Sequence, residues 1–448
     1  MGISVEDLSA GLARAFARVG LGALSCAPQR LTGGAVMESW RFSAGGSDYV
    51  LRRAPSLAFM EGRPYSHATE AALIEAARAK GVTAPEVVAV LDEADGLGSG
   101  FIMRALPGTA DPKVILDCQD PDGLLRGIAR HLARIHRLRQ ADVPAGMPVM
   151  DYRAAIADLK QQFMDAGGDR PIIALGLKWL EDNCPPEVEP VLNHGDYRMG
   201  NLLVEGSGLT GVLDWEIAHF GDRHEDLAFG CMAVWRFARY DRPALGLGAV
   251  EDYITAYEAE AGVTIDPARF RFWTIYRTVW WAMGCLKMAA QWRSGADRML
   301  ERVVISRRTS EQELDLLLLL EEDAPDAERA PDVQPVRPFS DLGEGREGEL
   351  AEAVSEWLGT IKDKLTGHDR FQLAVARNAL GIIARKDLYL PQLIEDRPMT
   401  DAILSGAGDL AHPELLRTLR QMVFEKVSVD SPKYPALAVA RKKWTREN

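Results

Sequence analysis

Apolar positions recur at helical spacing from Val5 to Val19 and then give way to short alternating runs. Leu31 to Phe42 reads as strand, glycine turn and strand, with Thr32-Gly33-Gly34 at the turn. Ser47 to Arg52 is a further strand ending near Pro55, and Val87 to Asp92 and Gly100 to Arg104 are two more. One helix interrupts them, Ala68 to Lys80, closed by Gly81 as a left-handed cap. Beyond Pro107-Gly108 the pattern turns mainly helical. Leu125, Ile128, Leu132, Ile135 and Leu138 line one face of a helix over 124–138, and 154–166 and 171–183 follow in the same style. Short strands are expected around Leu192, Leu202 and Val212. Helices are expected over 225–239, 250–261, 270–293 and 311–321.

The stretch 321–344 breaks the pattern. It holds four prolines and many acids with little apolar periodicity, and reads as a solvated linker. Helical stripes then resume: Leu350, Val354, Trp357, Leu358, Ile361 and Leu365, followed by Phe371, Val375, Ala379 and Ile382. Composition adds bounds. A chain of 448 residues with 47% hydrophobic residues is long enough for two to four globular domains. The net charge of −13 disfavours a nucleic-acid partner, whose backbone rewards clustered Lys and Arg. Five cysteines without Cys-x-x-Cys spacing argue against structural zinc and a disulfide framework, and point to the cytoplasm. The N-terminus has no signal-peptide pattern. The apolar run 270–292 carries Arg271, Arg277 and Lys287, so a buried helix is expected there, with no membrane span.

The chemistry concentrates between Leu192 and Glu216. Asp196 and Asn201 stand in His194-Gly195-Asp196-Tyr197-Arg198-Met199-Gly200-Asn201, and Asp214 follows thirteen residues after Asn201 in Leu213-Asp214-Trp215-Glu216. Apolar runs around Gly206-Ser207-Gly208 make a hairpin that would return Asp214 beside Asn201. Phosphoryl transfer from Mg-ATP needs this inventory. A carboxylate (Asp196) orients the attacking hydroxyl and takes its proton, while an amide oxygen (Asn201) and a second carboxylate (Asp214) bind magnesium. His194 is expected to hold the loop's shape. Glu216 stays open between a supporting acid and a surface acid.

The His-x-Asp-x4-Asn spacing resembles the catalytic loop of protein-kinase-like enzymes. With Leu-Asp-Trp-Glu, the segment resembles the aminoglycoside phosphotransferase and choline kinase family. Val50-Leu51-Arg52-Arg53-Ala54-Pro55 is similar to the branch of acyl-CoA-dehydrogenase-associated phosphotransferases. The resemblance covers about residues 20–320 and implies an α+β, two-lobed protein-kinase-like fold. Residues 1–105 would be a β-rich N-lobe, 106–322 a helical C-lobe, 323–345 an acidic Pro-rich linker and 346–448 an all-α accessory domain that would offer a protein contact.

The resemblance also implies site residues. Arg52 takes the place of a phosphate-contacting lysine and would pair with Glu70, with Glu75 as the competing partner; Arg53 should face the other way. Gly33 and Gly34 would cover the phosphates, although Val36 and Met37 replace two polar residues of the family pattern. Met103 and Ala105 would lie near adenine. Gly221-Asp222-Arg223-His224-Glu225-Asp226-Leu227-Ala228 resembles a Gly-Asp-Pro-x-x-Asp-Leu-Ala segment, with Asp226 bracing the catalytic loop and Asp222 capping the next helix. The implied cofactors are ATP and Mg2+, and the implied substrate is a small-molecule hydroxyl, of an apolar alcohol or a hydroxyacyl-type acceptor. An aminoglycoside-type antibiotic kinase and a nucleotide-binding pseudokinase are the alternatives. A protein kinase is disfavoured by the lack of Asp-Phe-Gly and Ala-Pro-Glu.

Overall fold

The computed structural model describes residues 3–31, 37–54, 56–334, 346–389, 396–412 and 414–446. The turn residues Gly33 and Gly34, with Val36, lie outside these, as does 335–345. The chain packs into two compact units that do not follow chain order. The first comprises Met1–Met150, Glu187–Cys231 and Asp241–Phe270; the second comprises Asp151–Pro186, Met232–Tyr240 and Arg271–Asn448.

In the first unit, helix α1 (Val5–Val19) starts at Ser4, whose side chain accepts from the Asp7 amide, and ends at Gly20 in the left-handed region. Strands β1 (Gln29–Arg30), β2 (Glu38–Ala44), β3 (Ser47–Arg53), β4 (Val87–Val90) and β5 (Gly100–Arg104) form an antiparallel sheet in the order β1-β2-β3-β5-β4. Leu8, Leu12 and Phe16 of α1 bury against Trp40, Phe42, Tyr49, Leu51 and Ile102 of the sheet. Phe16 meets the Phe42 and Tyr49 rings edge-on at 5.5 and 5.3 Å, geometry that adds to the area buried. This packing leaves the opposite parity of β3 for the site. Arg53 turns inward to Glu38 at 2.6 Å, and Arg52 faces the other way. Helix α2 (His67–Ala79), capped by Ser66, carries Glu70 buried in its first turn. Its end is closed as expected: the Val82 amide donates to Ala77 O and Gly81 to Arg78 O, with Gly81 at φ +83°.

The helix Pro121–Ile135 packs its Leu125, Ile128 and Leu132 face inward, with the helix Val250–Ala261 against it. Between these and the sheet run β6 (Val191–Asn193), paired with β9 (His219–Gly221), and the hairpin β7 (Leu202–Glu205) with β8 (Gly208–Val212). The Thr109–Val204 bridge and the Val212 amide on Thr83 O tie that hairpin to the segments flanking β4 and β5.

The second unit is helical. The helix expected over 225–239 does not form as one: Arg223–Cys231, which belongs to the first unit, is helical, a 3-10 turn follows at Ala233–Trp235, and Phe237 and Ala238 take φ of +45° and +73°. Left-handed backbone at two successive non-glycine residues is incompatible with a continuing helix. Leu300–Ser306 forms a further short helix. At the centre lies Thr309–Leu320, with Glu311, Gln312, Glu313 and Asp315 all buried. The helices Leu415–Asp430 and Pro435–Trp444 pack on it and supply its partners. Ser431 donates to Glu311 at 2.7 Å, Tyr434 donates to Asp315, and Arg420 holds the following Glu321 at 2.8 Å with both side chains fully buried. Of the acidic stretch, the part through 334 is packed: Ala324 and Val333 are buried, and the Val333 amide donates to Trp444 O. Among the described residues no helix is long and apolar enough to cross a membrane.

Candidate active site

The loop after β6 is shaped by buried polar groups. Asp226, on the helix Arg223–Cys231, accepts from the amides of His194 (2.6 Å) and Gly195 (2.8 Å) and lies 3.2 Å from His136 Nε2. Burial would raise the Asp226 carboxyl, but His136, His194 and these amides outweigh it and hold it below its ordinary value. Gly195 takes φ +82° with the Ile217 carbonyl so close that a Cβ would sit 2.6 Å from it, so glycine is required there. His194 is buried, and burial lowers its pKa. Its Nδ1 accepts from the Asp196 amide (3.2 Å), which leaves Nε2 to donate to Leu213 O (3.0 Å). The ring, 4.8 Å from that of Trp215, is thus a neutral spacer between the Asp196 and Asp214 segments.

Asp196 projects from this loop with both oxygens engaged. Arg198 Nε donates to Oδ1 at 2.8 Å, and Asn201 Nδ2 donates to Oδ2 at 2.6 Å and to the Asp196 carbonyl at 2.9 Å. Burial raises the Asp196 carboxyl, and the charge of Asp214 adds to this against the pull of Arg198. The hairpin does what its spacing suggested. The Leu213 amide donates to Asn201 O at 2.8 Å, which brings the segment just after β8, with Asp214, back beside Asn201. Asp214 itself has φ +67°. A non-glycine residue held there costs about 1–3 kcal/mol, a strain that clusters at functional positions.

Arg52 crosses from β3 to meet these acids. Its Nη2 donates to Asp214 Oδ1 (2.5 Å) and Glu216 Oε2 (2.6 Å), while its Nε lies 3.4 Å from Glu70 Oε1. Burial opposes the Arg52 cation, but Asp214, Glu70 and Glu216 outweigh it and raise its pKa. Glu70 is pushed up to about 7, by burial first, with Arg52 opposing. Glu216 is also raised, by burial and then by Asp214. Between the two helix acids the geometry selects Glu70; Glu75 instead binds Arg78 and the Val87 amide.

Two contacts were not legible from spacing. Arg63 Nη1 lies 2.8 Å from the same Glu216 Oε2, and Tyr65 O–H donates to Trp215 O. Met103 pairs with Val50 and Val87 in the middle of the sheet, and the Ala105 amide already donates to Asp48 O at 2.9 Å. The Ala105 N–H is therefore already engaged.

Among the described residues no three His, Cys, Asp or Glu side chains converge to hold a metal ion. The residues present do fit Mg2+, which takes one or two protein oxygens and completes its shell with phosphate and water. Asn201 spends its Nδ2 on Asp196, which turns its oxygen to the other side, and Asp214 supplies a carboxylate.

Comparisons with known proteins bear on the fold and the family. Two solved structures share the fold: a Ralstonia eutropha protein described as an aminoglycoside phosphotransferase (18% identity, TM-score 0.55, 70% of this chain and 98% of that one), and a thermostable mutant of aminoglycoside phosphotransferase APH(4)-Ia in ternary complex with AMP-PNP and hygromycin B (17%, 0.51, 71% and 99%). They make the fold α+β and protein-kinase-like, with helices alone after residue 346 among the described residues. A model described as the phosphotransferase enzyme family matches residues 28–273, more than half of the chain, and the protein belongs to that family. Acyl-CoA dehydrogenase family member 10 of Mus musculus is 27% identical over 235 residues, 48% of this chain; the chain spans 22% of the length of that relative.

Proposed function

We propose that the protein is an ATP- and Mg2+-dependent phosphotransferase acting on a small-molecule hydroxyl. The observation that carries this is the assembly of Asp196, Asn201 and Asp214 by one loop and one hairpin, with Arg52 of β3 donating to Asp214. In this reading Asp196 orients the hydroxyl and takes its proton as the new oxygen–phosphorus bond forms and the bond to the nucleotide breaks. Arg52 binds phosphate through its guanidinium fork, and Glu70 holds that fork in place. Mg2+, held by Asn201 and Asp214, would supply charge neutralisation to the phosphates. His194 and Asp226 fix the loop, so that catalysis rests on positioning and on charge already arranged. The AMP-PNP in the APH(4)-Ia complex supports the nucleotide assignment.

For the acceptor we propose an apolar alcohol or hydroxyacyl-type molecule. The name of the mouse relative supports this, as does the basic and aromatic character of 270–308, where Arg277 lies 4.1 Å from the Trp280 ring centre. A pseudokinase would have no need for all three of Asp196, Asn201 and Asp214. We propose the cytoplasm as its compartment, in keeping with five free cysteines. The test is Asp196→Ala, measured for ATP-dependent phosphorylation over a panel of hydroxyl acceptors. Phosphorylation should be abolished and nucleotide binding retained; undiminished turnover would sink the assignment, and activity on aminoglycosides alone would sink the acceptor class.

A further inference from the structure

We infer that the protein pairs with a second copy of itself through the outward face of the helix Glu347–Thr360. That helix is amphipathic in the reverse of the usual sense, because its small residues make the internal packing. A Cβ at Gly348 would sit 2.7 Å from Asp387 on the helix Gly367–Tyr389, and Ala351 is buried. Further along, the Ser355 carbonyl accepts from Arg377 Nε at 3.0 Å, and Gly359 lies against the same guanidinium. The large apolar residues face outward: Leu350 is 66% exposed, Val354 47% and Trp357 62%. They stand at i, i+4 and i+7 and so form one continuous stripe. Single exposed apolar side chains are ordinary, but a stripe that includes a tryptophan marks an interaction surface.

The charges along this helix identify the occupant. Glu347 and Glu349 stand exposed at its start, and Lys362 and Lys364 stand exposed in the 3-10 turn just past its end. In an antiparallel pairing, one register sets Val354 opposite Trp357 of the second copy and Leu350 opposite Ile361. The same register sets Glu347 opposite Lys364 and Glu349 opposite Lys362, and the two-fold axis repeats every pair. No acid between 346 and 365 then faces an acid: Glu352, Glu356 and Asp363 fall opposite Gly359, Ser355 and Gly348. A parallel pairing would instead bring the acidic starts together and the basic ends together. An apolar seam flanked by opposite charges is the arrangement that sets partner and orientation in paired helices. The acids on the helix also disfavour an anionic membrane surface as the occupant.

The experiment is sedimentation equilibrium on the full chain, comparing wild type with Trp357→Glu, Glu347→Lys and the double variant Glu347→Lys/Lys364→Glu. Thermal melting checks that each variant is folded. Wild type should sediment at twice the chain mass. Trp357→Glu removes two tryptophans from each dimer and places charge on the seam, so it should weaken association by about a hundredfold or more. Glu347→Lys sets Lys against Lys at both ends and should weaken it by roughly tenfold, more at low salt than at high. The double variant exchanges both signs and should return association to within about threefold of wild type. A folded wild type that stays monomeric at about 100 µM overturns the inference. So does a dimer that survives Trp357→Glu, or one weakened by Glu347→Lys that the double variant fails to restore.

Discussion

At the residue scale, burial raises the Glu70 carboxyl against the pull of Arg52, and the charges of Asp214 and Glu216 add to the rise. Its folded pKa of about 7 lies above the ordinary value of 4.5. An acid whose folded pKa is raised holds its proton longer in the native state, so its stabilising contribution is complete below about pH 4.5 and is lost as pH rises through about 7. Wild-type stability should therefore fall relative to Glu70→Gln across that window, by on the order of 3 kcal/mol at most. Chemical denaturation of both proteins from pH 4.5 to 8 checks it, and parallel curves would refute it. Asp214 gives a second prediction. Its φ of +67° suits glycine, so Asp214→Gly should be about 1 kcal/mol more stable than Asp214→Ala, with both lacking phosphotransfer. Paired melting curves decide this, since both variants delete the same carboxylate.

At the element scale, the sequence was legible where one local rule dominated. The boundaries of α1 follow from Ser4, the apolar stripe and Gly20. The face of β3 that carries Arg52 follows from alternation alone, and the return of Asp214 beside Asn201 follows from a hairpin with a glycine turn. Rules failed where distant packing overrode them. Nothing in Trp235-Arg236-Phe237-Ala238-Arg239 breaks a helix, yet two of these residues adopt left-handed backbone. Arg63 and Tyr65 escaped notice because they lie in a loop without period, about 150 residues from their partners. The helix Thr309–Leu320 carries acids on faces that a surface helix would turn to solvent, and their burial is explained by partners distant in sequence, among them Arg170, Lys426, Ser431 and Tyr434, as Arg420 explains that of Glu321. Arg420→Ala should accordingly cost about 3–5 kcal/mol, because it leaves Glu321 charged and buried. Urea denaturation would measure the loss, and a change below 1 kcal/mol would show that Lys443 and Trp444, which also reach Glu321, suffice.

At the scale of the whole molecule, the second unit is assembled from three separate stretches of chain. Local periodicity identifies helices and says little about which of them close over one another, so the division at 345 suggested by composition gives no warning that Leu415–Asp430 and Pro435–Trp444 cover Thr309–Leu320. Truncation after residue 334 should therefore expose four buried acids (Glu311, Glu313, Asp315 and Glu321) together with the apolar face around them. The shortened chain is expected to be insoluble or to lose its cooperative melting transition. A truncated protein that melts like the full chain would show the last hundred residues to be dispensable for folding.

The engagement of both Asp196 oxygens has a consequence for thrift. A carboxylate already accepting from Arg198 and Asn201 has little appetite for the proton of a stray water. On the proposed function, an alcohol succeeds where water fails because its other contacts hold it long enough to displace one of those donors. Bound nucleotide would then wait without draining idly into solvent, and the guard against waste would be two ordinary hydrogen bonds on the carboxylate proposed to take the hydroxyl's proton.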